Sequence, residues 1–146
     1  MMIRRSLPLD GARIVEVWRS AVDATHDFLA LEDRVEIEEA VQDLLPRLPL
    51  WVAVDDADQP IGFMSLNGTH MDALFIDAAS RGAGVGRKLV AHALSLQPIL
   101  TVDVNEQNSQ AVGFYERLGF SPTGRSETDD EGRPYPVIHL RLSSHR

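Results

Sequence analysis

Residues 72–96 read DALFIDAASRGAGVGRKLVAHALSL, and this stretch limits the possible folds more than any other. An apolar, strand-like run ends at Ile76. Gly82, Gly84 and Gly86 then alternate with Ala83 and Val85. Leu89, Val90, Ala93 and Leu94 follow at helical spacing until Pro98 stops the pattern. Such a segment is a strand feeding a helix through a glycine loop. A helix N-terminus presents unpaired N–H groups and the positive end of its dipole, so an anion is favoured there. Glycines let the backbone come close to that anion, and Arg81, Arg87 and Lys88 add positive charge. Spacing excludes two common nucleotide loops. A P-loop needs Ser or Thr after its Gly-Lys pair, whereas Lys88 here precedes Leu89. A dinucleotide fingerprint needs GxGxxG near the first strand, whereas GxGxG stands here after four strand-like runs. Taken alone, the loop admits a phosphate site or a plain strand-to-helix turn.

The flanking segments set the architecture. MIRRS reads as a first strand, and Asp10 as the N-cap of a helix over about 11–22 carrying Ile14, Trp18, Ala21 and Val22. DATHDFL interrupts it. A second helix is expected over about 31–45, with Val35, Ala40, Val41 and Leu44 on one side and most acids on the other, ended by Pro46 and Pro49. LWVAVDD, IGFMSLNG, THMDALFID and ILTVDVN read as strands. Asn108 is placed to cap a helix bearing Ala111, Phe114, Tyr115 and Leu118, with Gly119 at its C′ position. FSPTGRSET and YPVIHLRL close the chain as two strands around the turn DDEGRP. The order β-α-α-β-β-β-α-β-α-β-β implies a mixed sheet with helices on its faces. A chain of 146 residues without repeat or linker is expected to form one domain, 1–146.

Charge and composition remove several classes of function. The net charge is −8, and residues 23–45 alone carry eight acids (Asp23, Asp27, Glu32, Asp33, Glu36, Glu38, Glu39, Asp43) against Arg34. General affinity for nucleic acid is not expected. The acidic segment reads as a solvated helix face or as an attractor for a cationic substrate. No apolar run is long enough to span a membrane, and no apolar leader follows Arg4 and Arg5. Absence of cysteine removes disulfides, thiolate nucleophiles and cysteine metal sites. A cytoplasmic location is the default expectation. The five histidines, His26, His70, His92, His139 and His145, show no HxxxH or HxH pair, and one HxD pair (His70, Asp72) is weak evidence, so no metal is expected. No GxSxG elbow supports a serine hydrolase.

RGAGVG fits the R/Q-x-x-G-x-G/A pattern of the GNAT acyl-CoA N-acyltransferases. ALFIDAASRG before it resembles that family's entry strand and turn, although Ala78 stands where many members have proline. VNEQNSQAVGFYERLGF, some twenty residues on, resembles the second signature, with Asn108, Ala111, Phe114, Tyr115, Gly119 and Phe120 in register. The segments AVDATHDFL, LWVAV, HMDALFID and GRPYP extend the likeness along nearly the whole chain, toward one bacterial subgroup. The resemblance implies an α+β GNAT fold. This is a mixed, mostly antiparallel central sheet with about four helices on its faces and a splayed V between the fourth and fifth strands.

It also implies site residues. Arg81, Gly82, Ala83, Gly84, Val85, Gly86 and Arg87 would hold the pyrophosphate of acetyl-CoA, mainly through backbone N–H groups. Leu74, Phe75 and Ile76 would pair with the pantetheine arm by strand addition. Asn108 is similar to the family asparagine that contacts this arm, and it serves equally well as a helix cap. Tyr115 matches the tyrosine that protonates the departing thiolate; without the motif it reads as a core tyrosine beside Phe114. Where the family often has a carboxylate on the fourth strand stands His70, whose imidazole can serve as base directly or through water. Asp72 points the same way, two residues on, so that the two can act together. Asp103, facing away from Val102 and Val104, is the other candidate base. Each of the three also reads as a turn-capping or solvent-facing residue.

His26 and Phe28 are candidates for the acceptor wall, with Asp23 or Asp27 beside them for a cation. Arg125, Tyr135 and His139 are unranked candidates for a second wall. The implied activity is transfer of acetyl from acetyl-CoA to a primary amine of a small molecule, a protein lysine or an N-terminus. Without cysteine, direct attack in a ternary complex is expected. A non-catalytic acyl-CoA sensor is the alternative, since His70 replaces the usual acid. The implied partners are the amine acceptor and, as is frequent in the family, a second copy in a homodimer.

Overall fold

The computed structural model describes residues 1–143; His145 lies outside them. The elements follow in the expected order: β1 Met2–Arg5, α1 Gly11–Thr25, α2 Leu31–Leu44, β2 Trp51–Val54, β3 Pro60–Asn67, β4 His70–Ile76, α3 Val85–Leu96, β5 Ile99–Asn105, α4 Ser109–Arg117, β6 Ser121–Ser126 and β7 Val137–Ser143. Hydrogen-bonded neighbours run β1-β2-β3-β4-β5-β7-β6. The pairs β1–β2, β2–β3, β5–β7 and β6–β7 are antiparallel. β4 and β5 are parallel and pair only at His70↔Thr101 and Met71↔Val102. This is the mixed, mostly antiparallel sheet with about four helices that was expected, and the two-residue pairing of β4 with β5 corresponds to the expected splayed V.

The chain divides into two compact units. The first comprises residues 1–65 and 73–92. Its core is Ile14, Val17, Trp18 and Val22 from α1, with Leu45, Leu50, Val52, Val54 and Phe63; Ile37, Val41, Ala73 and Phe75 pack on it. Asp10 stands at the N-cap position of α1, as expected, but its side chain makes no cap bond. Its carboxylate accepts from the Leu7 N–H at 2.7 Å and from Arg4 at 2.8 and 3.2 Å, and it is fully buried in doing so. A residue that turns back on its own entry loop cannot also reach the N–H groups ahead of it.

The expected apolar side of α2 is also corrected. Val35, Ala40 and Leu44 are exposed, whereas Ile37 and Val41 face the core. No residue of α2 is fully buried. The helix rests on α1 along a narrow seam, which its four expected apolar positions could not reveal.

The second unit comprises residues 66–72 and 93–146, described to residue 143. β5 alternates strictly, with Leu100, Val102 and Val104 buried and Thr101, Asp103 and Asn105 on the other face. β7 lies antiparallel beside it from Ile99↔Ser143 to Asn105↔Val137. α4 packs on β5, with Tyr115 buried between the rings of Phe114 and Phe120. As expected, Asn108 caps α4 by accepting from the Ala111 N–H at 3.1 Å, and Gly119 follows it at φ +103°. Among the described residues no helix is long and apolar enough to cross a membrane.

Candidate functional site

In the first unit the glycine loop is held at its entry and open at its turn. Asp77 N–H donates to the Ile61 carbonyl at 2.9 Å, and the Asp77 carboxylate accepts from Arg13 of α1 at 3.1 Å. Ala78 N–H donates to Ser20 Oγ, also on α1, at 2.9 Å. A proline at 78 has no N–H and could not make that bond, so Ala78 exchanges the stiffness of proline for an anchor to α1. Gly82 and Gly84 adopt φ of +83° and +80°, and a Cβ on either would meet nothing within 4 Å. Backbone conformation, not crowding, requires glycine there. α3 begins at Val85, whose buried side chain lies where a Cβ on Gly62 would be, 2.8 Å away. Close approach of β3 thus seats the first turn of α3. Arg87 and Lys88 are exposed on that turn. A positive helix end, two open glycines and exposed cations form a fit surface for a polyanionic group. Leu74, Phe75 and Ile76 are half-buried on the β4 segment leading into the loop.

In the second unit a row of polar side chains crosses one face of the sheet. The registers His70↔Thr101 and Asp103↔His139 put these residues side by side on that face. His70 Nδ1 bonds Thr101 Oγ1 at 2.7 Å. His70 Nε2 faces Asp103 Oδ2 at 3.4 Å and Asp72 Oδ1 at 3.8 Å. His139 Nδ1 bonds Asp103 Oδ1 at 2.6 Å, and its Nε2 bonds Ser126 Oγ at 2.7 Å. His70 and Asp72, expected to act together, and Asp103, expected as the other base, are thus one cluster. Thr101, Ser126 and the role of His139 went unrecognised in the sequence. The alternation of VIHLRL puts His139 opposite Leu140, but nothing local says that β7, not β6, lies beside β5.

Tyr115 is buried, and burial pushes its phenol well above the ordinary tyrosine range. It therefore stays protonated and able to donate at any physiological pH. Asn108 is buried as well, its Oδ1 committed to the α4 cap. Asn105 Oδ1 on β5 is buried with no hydrogen-bond partner among the described residues.

His26 ends α1, with its Nδ1 2.7 Å from Thr25 Oγ1 and its ring 5.2 Å from that of Phe28. Burial, with Arg34 adding to it, holds the His26 imidazole below its ordinary range. Asp23 is occupied by Arg34 at 2.6 Å, and Glu38 by Arg34 and Arg19 at 3.0 and 3.3 Å. The acidic segment is thus partly neutralised by its own protein. Asp23, Leu31, Arg34, Val35, Glu38, Glu39 and Gln42 line an open groove of about 470 Å³. Arg125 is clamped by Glu106 and Glu127, and Tyr135 is buried. Among the described residues no group of three or more His, Cys, Asp or Glu is arranged to hold a metal.

Comparison with known proteins matches residues 26–136 to the family described as acetyltransferase (GNAT) domain. The chain is 61% identical over 138 residues to the peptidyl-lysine N-acetyltransferase YjaB of Escherichia coli, covering 94% of each chain. The solution structure of apo-form YjaB from Escherichia coli superposes with a TM-score of 0.93 at 60% identity, over 96% of this chain and 95% of that one. The structure of yncA from Salmonella typhimurium with its cofactor acetyl-CoA shares the fold, with a TM-score of 0.66 at 21% identity over 100% and 95% of the two chains.

Proposed function

The chain belongs to the GNAT acetyltransferase family, and from that premise we propose that it carries acetyl from acetyl-CoA to the side-chain amine of a protein lysine. The acceptor class is supported by the peptidyl-lysine acetyltransferase that it resembles over nearly its full length. In this reading residues 1–146 work as one N-acetyltransferase domain. The N-terminus of α3 and the loop Arg81–Arg87 take the pyrophosphate. The β4 segment Leu74–Ile76 takes the pantetheine arm by main-chain pairing, and Asn108 contributes beside it.

One observation carries the assignment of the base: His70 Nε2 makes no hydrogen bond among the described residues and faces two carboxylates at 3.4 and 3.8 Å. In the tautomer whose Nδ1 donates to Thr101 Oγ1, the Nε2 lone pair is open to an incoming N–H. The lysine nitrogen attacks the thioester carbonyl carbon and a C–N bond forms. The amine proton passes to His70 Nε2, where Asp103 and Asp72 stabilise the positive charge. The C–S bond breaks, and the Tyr115 hydroxyl donates its proton to the departing thiolate. With no cysteine in the chain, the acetyl group moves directly rather than through a thioester on the protein. His26 and Phe28 form part of the acceptor wall in this reading.

Tyr115→Phe keeps the buried ring and removes the proton. Turnover on a lysine peptide, followed by thiol release, is expected to fall about 100-fold with the KM for acetyl-CoA within about twofold of the parent. Unchanged turnover would remove Tyr115 from this role. The same assay across a lysine peptide, a free polyamine and an aminoglycoside tests the acceptor class, since the proposal requires the peptide to be preferred.

A further inference from the structure

The polar row on β4, β5, β7 and β6 holds a second imidazole that proton acceptance by His70 does not itself require. The two histidines are bonded differently. An ionised carboxylate only accepts hydrogen bonds, so the 2.6 Å contact of His139 Nδ1 with Asp103 Oδ1 puts a hydrogen on Nδ1. In the neutral ring Nε2 is then an acceptor, and the Ser126 hydroxyl donates to it at 2.7 Å. Both nitrogens of His139 are committed. His70 has one nitrogen bonded to Thr101 and the other facing Asp103 Oδ2 and Asp72 Oδ1 without a hydrogen bond. The two rings thus differ in one nitrogen: both of His139 are bonded, and Nε2 of His70 faces carboxylates without a hydrogen bond among the described residues.

The His139–Asp103 bond is not needed to join β5 to β7. Those strands already pair from Ile99↔Ser143 to Asn105↔Val137. What the bond does set is the rotation of the Asp103 carboxylate. With Oδ1 held by His139, Oδ2 is turned toward His70 Nε2. We propose that His139 is a positioning residue that holds Asp103 against the proton-accepting nitrogen of His70, with Ser126 holding the His139 tautomer. The inference rests on the reading that His70 accepts the amine proton. In that step the amine N–H bond breaks, an N–H bond forms at His70 Nε2, and no proton passes to His139.

His70→Ala, Asp103→Asn, His139→Ala and His139→Asn separate the possibilities. His139→Ala is expected to lower kcat about tenfold, a part of the roughly 10²–10⁴ that a base supplies. The KM for acetyl-CoA should stay within about twofold. An asparagine amide places an N–H near the Nδ1 position, so His139→Asn is expected to recover most of the loss. Nitrogen-15 spectra of the imidazoles give a readout independent of turnover. They should show His139 as the Nδ1–H tautomer, and Asp103→Asn should loosen that preference. If His70→Ala leaves kcat unchanged, the proton-acceptor reading falls and takes this inference with it. If His70→Ala lowers kcat but His139→Ala does not, or if His139 carries its hydrogen on Nε2, only the inference falls. Melting curves identify any variant that has merely unfolded; for such a variant the parent's nitrogen-15 spectrum decides.

Discussion

Asp10 and His26 stand at the two ends of α1, and both are held below their ordinary range for different reasons. For Asp10 the bonds from Arg4 outweigh burial, which acts the other way. For His26 burial itself disfavours the charged ring. In both cases the folded chain binds fewer protons than the unfolded one, so stability rises with pH through each window. The contribution of His26 is complete above its ordinary value of 6.5 and is lost as pH falls through the lower folded value. That of Asp10 persists until pH falls below its ordinary 3.8 and toward its depressed folded value. Thermal melts from pH 8 to pH 3 are therefore expected to decline in two stages. His26→Gln should flatten the upper stage and Asp10→Asn the lower. Asp10→Asn removes the buried carboxylate that pairs with Arg4, leaving the exposed Asp58 and the Arg5 carbonyl, and is expected to cost about 3 kcal/mol in a urea melt at pH 7.

Glycine acts on the elements in two distinct ways here. Gly82 and Gly84 supply a backbone conformation, and their spacing made them conspicuous in the sequence. Gly62 supplies space and looks ordinary inside IGFMSLNG. A Cβ there would lie 2.8 Å from Val85 Cγ1, 2.9 Å from Ile76 Cδ1 and 3.3 Å from the Phe75 carbonyl oxygen. Gly62→Ala is expected to destabilise by about 1–3 kcal/mol. It should also weaken CoA binding in calorimetry, because α3 must shift at its first turn. An unchanged CoA affinity in a folded Gly62→Ala variant would separate the seat of α3 from the proposed donor site. The misread face of α2 has a related cause. Leu31, Val35 and Leu44 are apolar but exposed, and only contact with the core distinguishes them from Ile37 and Val41.

At the scale of the whole chain, the two compact units are not successive in sequence. The chain passes between them after Ser65, after Asp72 and after His92, each time within β3, β4 or α3. Neither unit can be excised without cutting a strand or a helix. Calorimetry and circular dichroism are therefore expected to report one coincident unfolding transition. Acetyl-CoA at about 100 times its Kd should raise the midpoint by roughly 10 °C, as about 2.7 kcal/mol of binding free energy is added to the folded state. Two separate transitions, or no shift with ligand, would contradict the proposal of one acetyl-CoA-binding domain.

The order of elements, the helix caps at Asn108 and Gly119 and the family itself were legible in the sequence, because each rests on spacing between near neighbours. Period-two and period-3.6 patterns, glycines at positive φ and two signatures in tandem are all local. The sequence also named Tyr115 as the acid, His70 with Asp72 beside it, and Asp103 as the other candidate base. Only the tertiary structure joined Asp103 to that pair and added His139. β7 enters between β5 and β6, setting a residue 36 positions away against the Asp103 carboxylate. Such a pairing is decided by which strand edges meet when the core closes, and no local pattern in a single chain records it. The Asp10 carboxylate turned to Arg4 for a like reason: a buried charge takes its strongest available partner, and that partner is known only once the chain has folded.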